Sequence, residues 1–329
     1  MKGTYGNLKL ISGTSHPDLS NRIASSLGIP LIDLALGKFP DGEIHTVVKE
    51  NVRGDDVFVL QSLHSRGPHS MIEEVEFLVD CLRDSAGRIT GVIPWLGYSK
   101  QDRRTIPRES RSLKVIAKRL SQCGLNRVLL FDLHNSATAG FFDIPTDHVY
   151  LMRLLIERFK AMNIDGQVVI GSPDVGSSKR ADAVSSLTGI SDICLVRKIT
   201  NHQTKTVDIS KSQVLGDVKG KIVCFFDDLL QSSTTLTIAA EIVKDKGAEQ
   251  VICFAVHPDF TPVVGDKSSA FDRINNSAID RVIVVDTIPH DRNNGWSDKI
   301  EVIDPSSFIA TCISSLHNDE PLSPHFLTY

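Results

Sequence analysis

The chain has 329 residues, of which 41% are hydrophobic and 23% charged, and its formal net charge at pH 7 is −4. These values are typical of a globular protein with room for two domains, and an acidic balance argues against nucleic acid as a partner. No apolar run reaches the length of a membrane span, and Met1 to Thr4 lacks the apolar core of a signal peptide, so we expect a cytoplasmic protein with no membrane partner.

Short apolar runs alternate with helical patterns along the first half of the chain. The pattern predicts strands at 9–13, 32–36, 46–48, 57–60, 89–95 and 128–132. It predicts helices at 17–27, where Gly28 ends the helix, and at 70–86 and 112–123. Such alternation favours a largely parallel sheet with helices on both faces.

The same alternation restarts after Pro145. We expect helices at 149–162, 179–187 and 235–243, and strands at 168–170, 193–196, 222–226, 251–256 and 281–285. The polar stretch 200–212 is predicted to be a mobile loop. Four of the six cysteines lie inside apolar segments without CxxC spacing, which predicts reduced, buried thiols at Cys194, Cys224, Cys253 and Cys312.

The stretch after the strand at 222–226 combines two carboxylates with four hydroxyl residues. Asp227 and Asp228 come first, and Ser232, Ser233, Thr234 and Thr235 follow at the start of a predicted helix. A helix start with hydroxyl donors suits a phosphate, whereas adjacent carboxylates suit sugar hydroxyls or a cation. The pattern therefore indicates a pentose phosphate, although a solvated turn with a Ser/Thr helix cap would look the same.

Four other loops carry ionisable groups. Phe39 to Glu43 reads as a hairpin tip, and Tyr98 to Arg104 is either a solvated basic loop or a polyphosphate clamp. Asp132 and His134 end an apolar strand, where a single histidine is usually a structural hydrogen bonder. The stretch 172–180 adds a carboxylate, Asp174, followed by a Gly/Ser turn and a basic helix start.

Together these loops resemble ribose-phosphate pyrophosphokinases, also called phosphoribosyl pyrophosphate synthases, over essentially the entire chain. The order and spacing of several stretches carry the resemblance: 39–43, 98–104, 132–134, 140–145, 172–176, 179–181, 227–228 and 273–277. The resemblance implies an α/β fold of two similar phosphoribosyltransferase-type domains, each a mostly parallel sheet flanked by helices. It implies an N-terminal ATP-side domain at 1–146, completed by about 305–329, and a ribose 5-phosphate-side domain at 147–304.

The resemblance also implies the activity. Members of the family transfer the diphosphoryl group of ATP to the anomeric hydroxyl of ribose 5-phosphate, giving AMP and phosphoribosyl pyrophosphate for nucleotide biosynthesis. It implies Mg²⁺ as the cofactor and a homo-oligomer, commonly a hexamer.

Site residues follow position by position from the same resemblance. Phe39 is expected to pack on adenine, with Asp41, Gly42 and Glu43 at its polar edge, and the triphosphate is expected to bind Lys100, Gln101, Asp102, Arg103 and Arg104. His134 and Asp174 are expected to anchor Mg²⁺, directly or through water. Asp227 and Asp228 are expected to bind the ribose hydroxyls, Gln231, Ser232, Ser233, Thr234 and Thr235 the 5-phosphate, and Lys198 is the expected catalytic cation.

The chain departs from the family in two loops. An arginine usually follows the catalytic lysine by two residues, where this chain has Thr200, and the usual D-T-x-G-T after the two aspartates reads Gln231 to Thr235. Thr234 stands in place of glycine, which is unfavourable if that position needs a positive φ.

These departures motivate an alternative, a catalytically weak homologue that binds nucleotide and regulates a partner synthase. A phosphoribosyltransferase is a third hypothesis, but it leaves the Phe39 and Tyr98 loops unused.

Overall fold

The structure is a computed structural model that describes residues 5–64, 67–199, 207–261, 269–292 and 295–323. The described residues form two compact units. Unit 1 contains the chain up to Tyr150, Thr287–Pro289 and the described residues from Asp304 onward, and unit 2 contains Leu151–Asp286 and His290–Ile303. Both ends of the described chain therefore belong to unit 1.

Strands and helices alternate through most of the described chain. The strands are β1 (Leu8–Ser12), β2 (Leu34–Lys38), β3 (Ile44–Val48), β4 (Asp56–Leu60), β5 (Arg88–Ile93), β6 (Arg127–Phe131), β7 (Thr146–Val149), β8 (Val168–Ser172), β9 (Ile193–Arg197), β10 (Gln213–Leu215), β11 (Ile222–Leu230), β12 (Gln250–Pro258), β13 (Arg281–Val285) and β14 (Ile300–Ile303). The α-helices are α1 (Pro17–Leu27), α2 (Pro68–Arg83), α3 (Ser112–Gln122), α4 (Met152–Ala161), α5 (Ser178–Thr188), α6 (Thr234–Asp245), α7 (Ala270–Asn275) and α8 (Ser306–His317).

Unit 1 is built on a parallel sheet of order β1-β4-β5-β6-β7. Strand β4 is buried along its whole length, as a central parallel strand covered on both faces should be. Its Val57 and Val59 share one apolar cluster with Ile72, Val75 and Leu78, which recur at helical spacing on α2. The spacing of apolar residues on α2 therefore explains how it docks on the sheet.

A separate antiparallel hairpin, β2-β3, also belongs to unit 1. It pairs Leu34 with Val48 at one end and Lys38 with Ile44 at the other. The Sγ of Cys81 on α2 lies 3.8 Å from the carbonyl oxygen of Thr46, which places α2 against β3. The hairpin holds residues 39–43 at its tip.

Unit 2 is built on a larger sheet of order β10-β9-β8-β11-β12-β13-β14, in which all pairs are parallel except the edge pair β10-β9. Leu236, Ala239 and Val243 of α6 pack with Val223 and Phe225 of β11 in one buried cluster. Both main sheets are mostly parallel, which confirms the predicted α/β class.

The order of strands in unit 2 reverses between β8 and β11. The chain goes from β8 outward to β9 on one side and later returns to β11 on the other side of β8. Ligands of open α/β sheets bind at such a switch point, outside the carboxyl ends of the strands. The carboxyl ends of β8 and β11 are therefore the first place to look for a ligand in unit 2.

Most predicted elements are present with ends within three residues of the predicted ones, and two expectations need correction. Residue 149 was expected to start a helix but ends β7, and α4 begins at Met152. Strand β11 runs four residues past 226, because it keeps pairing with β12 after β8 has ended. Part of the 200–212 loop, residues 200–206, lies outside the described residues, and Ser212 closes a hydrogen-bonded turn with Asp208 and Ile199.

The buried state of the thiols is confirmed, since all six cysteines are free and Cys194, Cys224, Cys253 and Cys312 are buried. No helix in the described part of the chain combines the length and the apolar character that crossing a bilayer requires.

Candidate functional site

The hairpin tip in unit 1 is a tight, self-bonded turn. The backbone N–H of Phe39 donates to the carbonyl of Glu43 at 2.8 Å, and the N–H of Gly42 donates to the carbonyl of Phe39 at 2.9 Å. Gly42 takes a φ of 95°, a conformation that favours glycine. The Asp41 carboxylate accepts the Glu43 N–H at 3.1 Å. The predicted hairpin tip is confirmed, and it leaves the Phe39 ring 48% exposed.

The basic loop after β5 exposes its cations. Lys100, Gln101, Arg103 and Arg104 are exposed, and Asp102 is half-buried. Tyr98 starts the loop at a φ of 65°, and the N–H of Gln101 donates back to its carbonyl at 2.8 Å. This turn is closed by a backbone hydrogen bond, so the side-chain charges of the loop take no part in forming it.

Farther along, the same loop closes on Glu109. The Glu109 carboxylate accepts the backbone N–H of Thr105 at 2.6 Å, its hydroxyl at 2.8 Å and the N–H of Ile106 at 3.2 Å. Hydrogen bonds from the Thr105 backbone and hydroxyl and from Ile106 lower the pKa of Glu109. The carboxylate thus stays charged and ordered within a loop of mostly positive side chains.

The loop after β6 meets the basic loop. Asn135 Nδ2 donates to Asp102 Oδ2 at 2.8 Å, so the loops carrying His134 and Lys100 to Arg104 are joined. His134 itself is exposed, whereas Asp132 is buried. Among the residues that the structure describes in unit 1, no hydrogen bond or ion pair joins the hairpin tip to either loop.

Asp174 follows β8 in unit 2 and caps a short 3-10 turn. Its Oδ1 accepts the backbone N–H and the hydroxyl of Ser177, each at 3.0 Å. The Ser172 hydroxyl donates to the Asp174 carbonyl at 2.7 Å. The carboxylate is therefore held at the carboxyl end of β8, where the strand order reverses.

Asp227 and Asp228 lie beyond the end of β8 on the extended part of β11 and share one cation. Arg180 Nη1 contacts Asp227 Oδ1, and Arg180 Nη2 lies 2.6 Å from Asp228 Oδ1. Burial raises the pKa of Asp227 to about 7; the Arg180 charge opposes this shift and the Asp228 charge adds to it. Arg180, which had no assigned role, is therefore a member of this cluster.

The following loop reaches helix α6 through a left-handed residue. Ser233 takes a φ of 66° and is buried, and its hydroxyl has no hydrogen-bond partner among the described residues. Thr234 is the first helical residue, so the position that replaces the family glycine does not need a positive φ. The expected difficulty at Thr234 is therefore wrong, because the left-handed turn falls one residue earlier.

Two side chains from other elements touch this loop. Arg273 Nε on α7 donates to the Ser232 carbonyl at 2.7 Å. Gln231 Nε2 donates to Asp259 Oδ2 at 3.3 Å, which directs its amide toward the loop after β12. The stretch 273–277 contributed to the family resemblance, but the sequence assigned it no function. The structure shows that Arg273 holds the backbone of Ser232.

Lys198 reaches the same place from the end of β9. Its Nζ donates to the Thr235 carbonyl at 3.2 Å, whereas Arg197 donates to Gln213 on the edge strand at 3.5 Å. Burial lowers the pKa of Lys198, and the charges of Asp174 and Asp227 act in the opposite direction. Thr200, the position of the missing arginine, lies outside the described residues.

The arrangement in unit 2 suits a small anion with neighbouring hydroxyl groups. The start of α6 and the Ser233 hydroxyl can donate to an anion, and Asp227 and Asp228 can accept from hydroxyls. No cluster of three or more His, Cys, Asp or Glu side chains in the described residues is arranged to hold a metal. Mg²⁺ fits such a site, because it commonly takes one or two carboxylates and completes its shell with phosphate oxygens and water.

Comparisons with known proteins agree with this geometry. Residues 8–124 match the family model described as the N-terminal domain of ribose phosphate pyrophosphokinase, and residues 197–327 match the phosphoribosyl synthetase-associated domain. The chain is 37% identical to a ribose-phosphate pyrophosphokinase of Vibrio cholerae and 39% identical to one of Shewanella oneidensis, in each case over 97% of this chain and 99% of the relative.

A solved structure is also similar. The crystal structure of phosphoribosylpyrophosphate synthetase from Mycobacterium smegmatis superposes with a TM-score of 0.86 at 29% identity, covering 95% of this chain and 100% of that one. The similarity in sequence and in structure therefore extends over nearly the full length of the chain and of these relatives.

Proposed function

The chain belongs to the ribose-phosphate pyrophosphokinase family, and from this membership we propose how its residues transfer the diphosphoryl group of ATP to ribose 5-phosphate. The enzyme forms phosphoribosyl pyrophosphate and AMP, a reaction of nucleotide biosynthesis. Attack falls on the β-phosphorus, so the protein must hold two substrates in register and neutralise the charge that spreads over the transferring group.

One observation carries the sugar-phosphate part of the proposal: two carboxylates and a buried hydroxyl donor flank the same loop. Asp227 and Asp228 bind the vicinal hydroxyls of ribose as acceptors. The 5-phosphate binds at the start of α6, where the buried Ser233 hydroxyl and the backbone N–H groups of the turn donate to it. Ser232, Thr234 and Thr235 complete this site, and Gln231 supports it through Asp259.

The nucleotide binds residues of the N-terminal domain, at 1–146. The exposed ring of Phe39 packs on adenine, with Asp41, Gly42 and Glu43 at its polar edge. Charged and amide groups hold the triphosphate: Lys100, Gln101, Arg103 and Arg104 face it, and Asp102 fixes the loop through Asn135. The domain at 147–304 binds the sugar phosphate.

Lys198 is the catalytic cation in this proposal. Burial lowers the pKa of Lys198, and the charges of Asp174 and Asp227 oppose this shift; in the proposal its ammonium stabilises negative charge on the transferring group. His134 and Asp174 support a bound Mg²⁺, which when present neutralises part of the triphosphate charge. Asp174 contributes a hard carboxylate oxygen, and His134 acts directly or through water.

Two further expectations remain part of the proposal. We propose that the protein acts as a homo-oligomer, a hexamer by family resemblance, and that it works in the cytoplasm. Neither follows from the geometry of the two units, and both can be measured on purified protein and by cell fractionation.

The activity is tested by incubating the purified protein with ATP, Mg²⁺ and ribose 5-phosphate and following AMP. We expect AMP and phosphoribosyl pyrophosphate in equal amounts, with Lys198→Ala slower by about a hundredfold or more, as for other groups that stabilise transition-state charge. The Lys211→Ala variant is a suitable control, because Lys211 pairs with Asp208 on the surface and has no role in the reaction.

A rate no higher than that of Lys198→Ala would contradict catalysis by this chain and would favour the alternative, a weak homologue that regulates a partner synthase. That alternative loses one of its motives, since the structure accommodates Thr234 in the helix without strain.

A further inference from the structure

A histidine without a role in the proposed reaction links the carboxyl end of β6 to its neighbour β7, next to His134. His148 lies on β7, the strand that pairs with β6. The backbone N–H of Leu133 donates to His148 Nε2 at 3.0 Å. A backbone N–H can only donate, so Nε2 is the acceptor and the ring proton sits on Nδ1.

The surroundings of His148 keep it able to accept. Burial lowers the pKa of His148 to about 4, so the ring is neutral at pH 7. Its ring lies 4.4 Å from the ring of Tyr150, which limits its rotation. A charged imidazole would lose the lone pair that Leu133 uses, and burial prevents that charge.

The backbone that His148 holds is a strained turn. Asp132 is a buried residue at a φ of 39°, in the left-handed region that side chains other than glycine rarely adopt. Its N–H donates to the Val149 carbonyl at 3.0 Å, and the next N–H, of Leu133, donates to His148. Two consecutive backbone groups are therefore tied to β7 where the chain leaves β6.

The turn at Asp132 and Leu133 sets the position of the two residues that follow it. His134 is the next residue in the chain, and Asn135 after it donates to Asp102 of the basic loop. We propose that His148 is a positioning residue for the nucleotide side of the reaction: through the Leu133 N–H it fixes the turn that presents His134 and Asn135. The inference rests on the proposed function, because it assigns His134 to the metal–nucleotide complex.

The proposal is tested with His148→Phe, which keeps a ring beside Tyr150 but removes the acceptor, and with His148→Gln, whose amide oxygen can take the place of Nε2. We expect His148→Phe to raise the KM for Mg·ATP about tenfold, the effect of one lost buried hydrogen bond, and to change the KM for ribose 5-phosphate less than twofold. His148→Gln should recover most of the loss. If His148→Phe does not fold, His148→Leu replaces it.

A second measurement does not depend on turnover. Calorimetry with the α,β-methylene analogue of ATP and Mg²⁺, without ribose 5-phosphate, should show the same tenfold weakening in His148→Phe and its recovery in His148→Gln. A wild-type protein without activity would defeat the proposed function and leave this binding measurement readable. An equal rise in both KM values, no rise in either, or unchanged binding of the analogue would overturn the role of His148.

Discussion

The charge on Asp227 is decided by burial and by two neighbouring charges acting together. Burial favours the protonated acid, Arg180 favours the carboxylate, and the nearby Asp228 favours the acid again, which leaves the pKa of Asp227 at about 7. The ionised carboxylate accepts hydrogen bonds through both of its oxygens, whereas in the protonated acid one oxygen carries an O–H donor. Binding of ribose 5-phosphate should therefore depend on pH near neutrality.

We predict that the affinity for ribose 5-phosphate increases as the pH rises from 6 to 8. The carboxylate of Asp227 is the form that binds the sugar, and its pKa is about 7. As the pH falls below this pKa, the carboxylate fraction decreases by up to about tenfold per pH unit; above it, Asp227 is mostly carboxylate. The measurement is the KM for ribose 5-phosphate across this range at saturating Mg·ATP.

The phosphate of the substrate also titrates near pH 6, so the control is the same profile in Asp227→Asn. The amide cannot ionise, and the part of the pH dependence that belongs to Asp227 should vanish from that variant. Identical slopes in wild type and Asp227→Asn would show that the substrate alone titrates.

The sequence could predict these residues but not their charge partners. Adjacent aspartates before a Ser/Thr helix start are recognisable as a pattern, but the structure places them inside β11, beyond the end of β8, and not after the end of their own strand. Arg180 is separated from Asp227 by 47 positions, and no local pattern indicates that pairing. The same holds for His148, because a neutral acceptor histidine looks in sequence like any other histidine.

Elements with sharp start and stop signals were predicted well. Pro17 begins α1 and Gly28 ends it at a φ of 69°, as the sequence indicated. Residues 146–149 form a strand that the sequence did not reveal, because three of its four residues are polar and Val149 continues directly into the pattern of the next helix. The length of β11 also escaped prediction, since its last residues depend on the neighbour β12.

The short helix α7 contacts the loop that precedes α6, part of the proposed phosphate-binding residues 231–235. It begins with a capping box between Ser269 and Asp272, which fixes the turn that carries Arg273. From there Arg273 Nε reaches the Ser232 carbonyl at 2.7 Å. The loop next to the left-handed Ser233 thus depends on a helix that lies 41 positions later in the chain.

We predict that Arg273→Ala raises the KM for ribose 5-phosphate about tenfold or more and leaves the KM for Mg·ATP unchanged. A lost hydrogen bond from a charged donor has about this effect on the group it positions. Arg273→Lys should recover part of the loss, because an ammonium can donate once but lacks the planar fork. The measurement is the pair of KM values for each variant.

Arg281 offers a matched control in the same unit. It pairs with Glu301 at 2.8 Å between β13 and β14, and Arg281→Ala should change neither KM. An equal rise in both KM values for Arg273→Ala would mean that α7 supports the fold of unit 2 in general and has no particular effect on the proposed phosphate-binding residues 231–235.

Over the whole molecule, the described part of the chain begins and ends in unit 1. Helix α8 is joined to the amino ends of β4 and β5 by a buried polar network, which includes the 2.6 Å ion pair of Arg88 with Asp56. Arg88 also donates to the Leu316 carbonyl at 2.8 Å, and His317 Nδ1 lies 2.9 Å from Asp56 Oδ2. Because 228 positions separate Arg88 from Leu316, this closure could not be predicted from local sequence.

We predict that Arg88→Met lowers the free energy of unfolding of unit 1 by about 3 kcal/mol. The Asp56 side chain is fully buried, and removing the guanidinium leaves its charge with weaker compensation. Urea unfolding followed by Trp95 fluorescence measures the effect in a Trp296→Phe background, where Trp95, the remaining tryptophan, reports on unit 1.

The control is Lys49→Gln, which breaks the exposed pair with Asp33 and should change the free energy of unfolding by less than about 0.5 kcal/mol. Equal midpoints for Arg88→Met and Lys49→Gln would show that the Arg88 network does not hold the end of the chain in place.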